Sequence, residues 1–575
     1  MPHHPPPAVH PLLDQARRWA ADDPDPETVT QLTGIIAAVE AGDEAAAADL
    51  ADRFAGFLEF GTAGLRGALG AGPNRMNRAV VIRAAAGLTA YLKTVSDQPT
   101  VVIGYDARTN SDVFARDTAA VVVGAGGQAY LLPEPLPTPL LAYAVRYLAV
   151  DAGVMVTASH NPPQDNGYKV YVADGSQIVP PVDGLIAAEI AKIGTVADVP
   201  RAESGWETLD DQVYADYLAD TLSALNPDAE PLPPEGSTEQ STPASGPRDV
   251  VVVHTALHGV GSRTLRDAFA ANGFPAPIPV AAQAEPDPAF PTVTFPNPEE
   301  PGAMDLAIEL AEQTGPDLVI ANDPDADRCA AAIPGPGGWR MLRGDELGAL
   351  LGAHLLARGV PEGATFANSI VSSRLLAAMC RAAGVPHEET LTGFKWISRV
   401  PGLAYGYEEA LGYCVAPDLV RDKDGITAAL LLAELAAARK AAGSDLQAVL
   451  DDLARAHGVH ATDAFSVRVD DLSIIARIMT RLRATPPTEV AGTPVSRTDD
   501  LARGDGGLPP TEGLRYVLAE DSRIIVRPSG TEPKLKIYLE VIEPVSAPDD
   551  LTDARARAAD RLRGIRTAME SLTAP

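Results

Sequence analysis

The spacing of apolar residues changes several times along the chain, and each change marks an element boundary. Leu12, Leu13, Ala16 and Trp19, then Ile35, Ile36 and Val39, recur at intervals of three and four. That is the spacing of one helix face, with Thr28 or Thr30 as the expected cap of the second helix. Residues 1–58 are therefore predicted to be a helical extension behind a short disordered lead. Beyond it, short β-rich runs at 100–103, 129–132 and 152–156 alternate with helical patterning such as 111–123. A second cycle has runs at 250–254 and 317–321, and a third has a helix at 346–357, a run at 365–371 and a helix at 426–442. The tail differs, with strand-like runs at 464–469, 515–519, 524–527 and 535–541 before a helix at 550–572. The pattern predicts three similar α/β domains followed by a C-terminal α+β domain. Expected boundaries are 59–205, 206–325, 326–456 and 457–575. Six prolines in the 23 residues 226–248 predict a disordered surface insertion within the second domain.

Composition narrows the function. With 575 residues, 46% of them hydrophobic, the chain can build several cores. A net charge of −31 opposes binding to nucleic acid or to anionic lipid surfaces. It does not oppose a small anionic substrate, because screening over about 8 Å leaves the charges of a cleft in local control. No stretch reaches the roughly 18 apolar residues that a membrane helix needs; the run 347–357 is 11 and contains His354. No signal peptide pattern opens the sequence, and Cys329, Cys380 and Cys414 form no CxxC pair. A reducing cytoplasm is the expected setting.

Three strings carry candidate chemistry. Thr157-Ala158-Ser159-His160-Asn161-Pro162 follows a strand-like run, so Ser159 is offered from a tight loop; an ordinary turn is the competing reading. The G-x-S-x-G of an esterase elbow is absent. Asp323, Asp325 and Asp327 alternate after a second such run, about 6.6 Å apart were the strand straight. Pro324 favours a curled loop, and three neighbouring carboxylates are most simply reconciled by a bound cation, with magnesium preferred by hard oxygen donors; a solvated acidic turn is the competing reading. An EF-hand fails, because Arg328 and Pro334 occupy the positions that need Gly and Glu. In Arg527-Pro528-Ser529-Gly530-Thr531, the guanidinium, the hydroxyls and the open backbone suit a phosphate, against the alternative of a plain hairpin loop. Gly124, Gly126 and Gly127 close a helix rather than open one, which excludes a dinucleotide fingerprint. His254 and His258 are four apart but begin inside a strand-like run, so a packed or solvated histidine is expected there rather than a metal ligand.

Taken together and in this order, these strings resemble the α-D-phosphohexomutase superfamily, the phosphoglucomutases and phosphomannomutases. The similarity extends to Gly61–Gly67, Gly104–Arg108, Thr392-Gly393-Phe394-Lys395, Glu408-Glu409-Ala410-Leu411-Gly412 and Arg421–Gly425. It is nearest to the branch holding bacterial phosphoglucomutases and eukaryotic phosphopentomutases. The resemblance implies four domains around a central active-site cleft, a phosphorylated Ser159, and magnesium held by that phosphate with Asp323, Asp325 and Asp327. It implies Lys169 as the proton-transfer group, with Arg66 and His160 assisting. Arg328, Thr392, Gly393, Lys395, Glu408, Ala410, Lys423, Arg527, Ser529, Gly530 and Thr531 would bind substrate, with Lys395, Lys423 and Arg527 on the second phosphate. Ala410 stands where many hexomutases carry serine.

The activity so implied is reversible conversion of glucose 1-phosphate and glucose 6-phosphate through glucose 1,6-bisphosphate. Phosphomannomutase and phosphopentomutase are the neighbouring alternatives; a sugar-phosphate phosphatase or a non-catalytic binder are alternatives of another class. The expected partners are small sugar phosphates, not nucleic acid or membrane, and the expected state is a monomer or homodimer.

Overall fold

The computed structural model of the chain describes residues 9–62, 64–225, 246–469, 471–505, 507–529 and 534–574. The chain forms two compact units, Met1–Arg340 with Ala416–Glu434 and Met341–Val415 with Leu435–Pro575. Together they carry a four-domain α/β architecture with mixed sheets, as the patterning predicts.

The first unit opens with the helices Val9–Asp22, Pro26–Glu40 and Glu44–Arg53. They bury Leu13, Ala16, Leu32, Ile36, Val39 and Leu50 between them. The second helix is capped by Asp25 and not by Thr28 or Thr30: the Asp25 carboxylate accepts from Glu27 N at 3.0 Å. Pro26 sets the helical φ of the first position, so the helix starts earlier than the apolar spacing suggests. The two threonine hydroxyls are used within the first turns, on Asp23 at 2.8 Å and on the Pro26 carbonyl at 2.7 Å.

The first sheet runs, edge to edge, Leu65–Ala68, Asp165–Val172, Ala152–Val156, Thr100–Tyr105, Gln128–Leu131 and Glu207–Thr208. Its centre is parallel, with 100–105 between 128–131 and 152–156, and its first two pairings are antiparallel. Every residue of Ala152–Val156 is buried, which is what a near-continuous apolar run in a covered parallel sheet produces. Asp165–Val172 was not legible as a strand, because Asp165, Asn166, Gly167 and Lys169 interrupt the apolar pattern; six of its eight positions are nevertheless buried. In the second sheet Val252–Thr255 lies parallel to both Leu318–Ala321 and Ile278–Pro279, and Ala330–Gly335 is antiparallel to 318–321. Residues 159 and 323 follow the carboxyl ends of strands 152–156 and 318–321, the edge where ligand loops gather in such sheets.

In the second unit, Thr365–Ser369 lies parallel to both His387–Thr390 and Leu403–Glu408, and Gly412–Cys414 turns back antiparallel on 403–408. The tail is an antiparallel sheet ordered Val459–Arg468, Lys534–Glu543, Arg523–Pro528, Leu514–Leu518, Thr493–Asp500 and Glu489–Val490. Its buried face packs on the helices Leu472–Ala484 and Leu551–Leu572. The proline-rich stretch read as an insertion lies, over 226–245, outside the described residues.

Candidate active site

Ser159 stands in a tight bend at φ +51 and is buried. A left-handed conformation is costly for a residue with a Cβ, so the surroundings must impose it. Arg108 does so: its guanidinium donates to the carbonyls of Ser159 at 2.7 Å, Asn161 at 2.5 Å, Pro162 at 2.9 Å and Asp165 at 3.1 Å. Arg108 is in turn paired with Asp106 at 3.3 Å, and Asp106 accepts from the hydroxyls of Thr157 and Ser111, each at 2.7 Å. The loop is thereby held by main-chain contacts, which leaves the serine side chain available. Ser159 Oγ donates to Asp323 Oδ2 at 2.8 Å and lies 3.1 Å from His160 Nδ1.

Asp323, Asp325 and Asp327 are all buried, and a ligand oxygen from each lies within 4.8 Å of the others. Lys169, projected from the antiparallel strand 165–172, donates to Asp325 Oδ2 at 2.7 Å and to Asp327 Oδ2 at 2.8 Å. Lys423 Nζ lies 3.2 Å from Asp327 Oδ2 and 3.3 Å from Asp422 Oδ1. Thr138, first residue of the helix Thr138–Tyr147, donates its hydroxyl to Asp325 Oδ2 at 2.6 Å. Arg328 closes the loop, its main-chain N donating to Asp323 Oδ1 at 3.0 Å.

The charges are unevenly met. Burial and the neighbouring Asp325 and Asp327 push the Asp323 carboxyl well above its ordinary range. Asp327 is also buried, but Lys169, Lys423 and Arg328 outweigh burial and hold it low. Burial by itself would lower the Lys169 ammonium, yet Asp325 and Asp327 overcome it and the group is raised. Lys169, the proton-transfer group that the resemblance implies, is thus held in its charged form by these two carboxylates. His160 is pushed well below its ordinary value by its desolvated setting and by Arg328 and Arg66, so its imidazole is neutral. Arg66 Nη1 reaches Asn161 Oδ1 at 3.3 Å, beside the serine loop.

The donor set fits a divalent cation. The Oδ1 atoms of Asp325 and Asp327 are buried and make no hydrogen bond, a costly state that a metal ion relieves. All-carboxylate oxygen donors suit magnesium.

The second unit holds the remaining candidates. Thr392 and Gly393, the latter at φ +110, lead into the short helix Phe394–Ile397 that carries Lys395. Glu408 ends strand 403–408, and Ala410 lies in the turn to 412–414. The adjacent Glu409 turns inward: its Oε2 accepts from Ser369 and Ser372 Oγ, each at 3.0 Å. Arg527 lies near the end of strand 523–528 and Ser529 just after it, with Ser529 N donating to the Lys534 carbonyl at 2.8 Å. Gly530 and Thr531 lie outside the described residues. Tyr538, whose phenol is raised by burial and then by Glu409, links the two loops: Arg527 is its hydrogen-bond partner and Glu408 adds to the field upon it.

Arg108 and Thr138 were not singled out as site residues. Arg108 belongs to the string Gly104–Arg108, whose similarity gave no role. Thr138, between Pro137 and Pro139, carries no local signal, and the fold alone brings it to Asp325.

The sequence matches four consecutive family models. They are described as phosphoglucomutase/phosphomannomutase α/β/α domain I over residues 58–197, domain II over 236–337, domain III over 343–456, and the C-terminal domain over 467–557. A protein of Haemophilus influenzae named "probable phosphomannomutase" is 47% identical over 81% of this chain and 93% of its own. Human phosphopentomutase is 36% identical over 92% of both chains. A phosphoglucomutase of Staphylococcus haemolyticus is 35% identical over 84% of this chain and 90% of its own. The crystal structure of a phosphoglucomutase/phosphomannomutase family protein from Burkholderia thailandensis shares the fold, with a TM-score of 0.66 over 89% of this chain and 97% of that one at 19% identity. Among the described residues no helix is long and apolar enough to cross a membrane.

Proposed function

This chain belongs to the phosphoglucomutase/phosphomannomutase family, enzymes that transfer phosphate, and on that premise we propose that it interconverts glucose 1-phosphate and glucose 6-phosphate through a phosphorylated Ser159. The observation that carries the reading is the 2.8 Å contact of Ser159 Oγ with Asp323, at the edge of three buried carboxylates flanked by Lys169 and Lys423. A hydroxyl so placed could exchange a phosphoryl group once a cation on the three carboxylates adds its charge to that of Lys169 and Lys423, since phosphoryl transfer depends mainly on positioning and charge neutralisation.

In the forward direction the sugar 6-hydroxyl attacks the phosphorus on Ser159. The new P–O bond forms as the 6-hydroxyl gives up its proton, the bond to Ser159 Oγ breaks as that oxygen takes up a proton, and glucose 1,6-bisphosphate results. The bisphosphate then returns its 1-phosphate to Ser159, so phosphate is conserved over the cycle. His160, a neutral imidazole 3.1 Å from Ser159 Oγ, carries the proton to or from that oxygen. Lys169 stays charged and keeps Asp325 and Asp327 in place. Asp323, Asp325 and Asp327 would hold magnesium, which supplies positive charge to the transferring phosphoryl oxygens. Glu408 would accept from sugar hydroxyls, and Lys395, Arg527 and Ser529 would bind the other phosphate. Lys423, expected with that second set, is engaged here by Asp327 and Asp422 and joins the first.

A phosphopentomutase or phosphomannomutase is the second reading. It is favoured by the relatives bearing those names and by Ala410, which offers the sugar no hydroxyl. The test is a side-by-side assay of glucose, mannose and ribose 1-phosphates with magnesium and catalytic bisphosphate. The proposal requires the highest kcat/KM for glucose 1-phosphate; a higher value for ribose 1-phosphate would establish the pentose reading in its place.

A further inference from the structure

His254, within the central strand 252–255, and Asn322, just past the central strand 318–321, face each other inside the second domain, and both are buried. The imidazole Nε2 lies 2.9 Å from Asn322 Oδ1. The other end of that amide is also taken: Asn322 Nδ2 donates to the Arg328 carbonyl at 2.7 Å. This second bond spans the acidic loop, from the residue before Asp323 to the residue after Asp327. It also orients the amide, so the oxygen faces His254 and the histidine must carry its proton on Nε2.

Lys169, Lys423, Thr138 and Ser159 hold the three carboxylates themselves, while the loop's main chain is gripped from outside through main-chain bonds. Val260 N donates to the Pro324 carbonyl at 2.8 Å, and Gly425 N donates to the Ala326 carbonyl at 3.2 Å. A Cβ at Gly259 would stand 2.2 Å from Pro324 Cα, and one at Gly425 would stand 2.3 Å from the Arg328 carbonyl. These contacts come from the path of the chain. The His254–Asn322 pair is side-chain chemistry, which can be altered alone.

Three buried carboxylates repel one another, and a loop free to open would have to be gathered by the ion it binds, at the expense of affinity. We propose that His254 is a positioning residue for the cation: through Asn322 it holds loop 322–328 closed, so that Asp323, Asp325 and Asp327 are assembled before the ion arrives. This rests on the reading of these carboxylates as a metal site. It gives a role to a histidine that the sequence presents only as a packed one.

The test is manganese binding to the full chain without sugar phosphate, counting free ion by electron paramagnetic resonance, with thermal unfolding of each variant alongside. Glutamine reaches the Nε2 position and keeps a donor there, whereas asparagine stops one methylene short. His254→Gln is expected to bind within about threefold of the native chain, and His254→Asn to bind about 10–100-fold more weakly, the range seen when partners behind metal ligands are removed. Both should lose similar thermal stability. If His254→Asn does not fold, Asn322→Ser removes the bridge from its other end and should show the same weakening. Equal affinity in His254→Gln and His254→Asn, or affinity that only follows stability, would overturn the inference. Asp325→Ala in the native background separates the two layers: if it leaves manganese binding unchanged, the metal reading fails and the inference with it.

Discussion

The guanidinium of Arg108 donates to the main-chain carbonyl of Ser159 at 2.7 Å, across 51 residues of sequence. With three further carbonyls of the same loop on its nitrogens, Arg108 shapes the bend without touching the serine hydroxyl. Arg108→Lys keeps the charge opposite Asp106 but replaces a planar fork with a single ammonium that cannot span four acceptors. The expected outcome is a folded protein with kcat lowered about 10²-fold by misplacement of Ser159. Unchanged kcat in a variant of normal stability would show that the loop holds its own shape.

The acidic loop gives a second expectation. Asp325 accepts from both Lys169 and Thr138 and leaves Oδ1 without a hydrogen bond. Asp325→Ala should weaken magnesium binding and turnover together, by about 10²-fold if the carboxylate is a direct ligand. Chelation of the native enzyme should stop turnover, and added magnesium should restore it. Calorimetric titration with magnesium and a rate titration check both.

In the turn after strand 403–408, the two adjacent glutamates should differ. Glu409 Oε2 is occupied by Ser369 and Ser372, so Glu409 supports the loop, whereas Glu408 ends its strand. Glu408→Ala should raise KM about 10–100-fold, the loss of one or two bonds to a charged acceptor. Glu409→Gln should cost about tenfold or less and should lower thermal stability. Steady-state kinetics on both variants, read for KM apart from kcat, checks the division.

A pH effect arises away from the reacting groups. Burial pushes the Asp345 carboxyl up to about 7, and the negative charges of Glu409 and Glu540 add to the effect, while Ser373 N donates to it at 2.7 Å. Glu540 is itself countered by Arg374 and Arg523, and His460 lies 3.4 Å from it. Since the native state keeps a proton on Asp345 that the unfolded chain releases near 3.8, stability is full below that value and falls as pH rises to about 7, then levels off. Asp345→Asn should remove this slope. Thermal midpoints of both proteins between about pH 5 and pH 8 make the comparison.

The parts of the site that were legible in the sequence are those in which a local string carries the chemistry. Ser159, the three aspartates and Arg527 each follow or end a strand and sit among turn formers. What escaped notice depends on long-range pairing. Lys169 meets Asp325 and Asp327 only because 165–172, too polar to read as a strand, pairs beside 152–156. Arg108 is an ordinary loop arginine until the fold brings 159–165 onto it. The helix cap falls at Asp25 and not at the threonines that the apolar spacing predicts, because Pro26 starts the helix earlier. His254 reads as a packed histidine, and burial bears that out, but its partner Asn322 gives the packing a direction.

The central claim is that phosphate passes through Ser159 and is conserved. Phosphorus NMR of the enzyme with glucose 1-phosphate, magnesium and a trace of glucose 1,6-bisphosphate tests it most directly, run in parallel with Ser159→Ala. The account requires the 1-phosphate signal to give way to the 6-phosphate signal with no inorganic phosphate accumulating, and requires Ser159→Ala, folded normally, to leave the 1-phosphate unchanged. Release of inorganic phosphate as the main product, or turnover retained by Ser159→Ala, would contradict it.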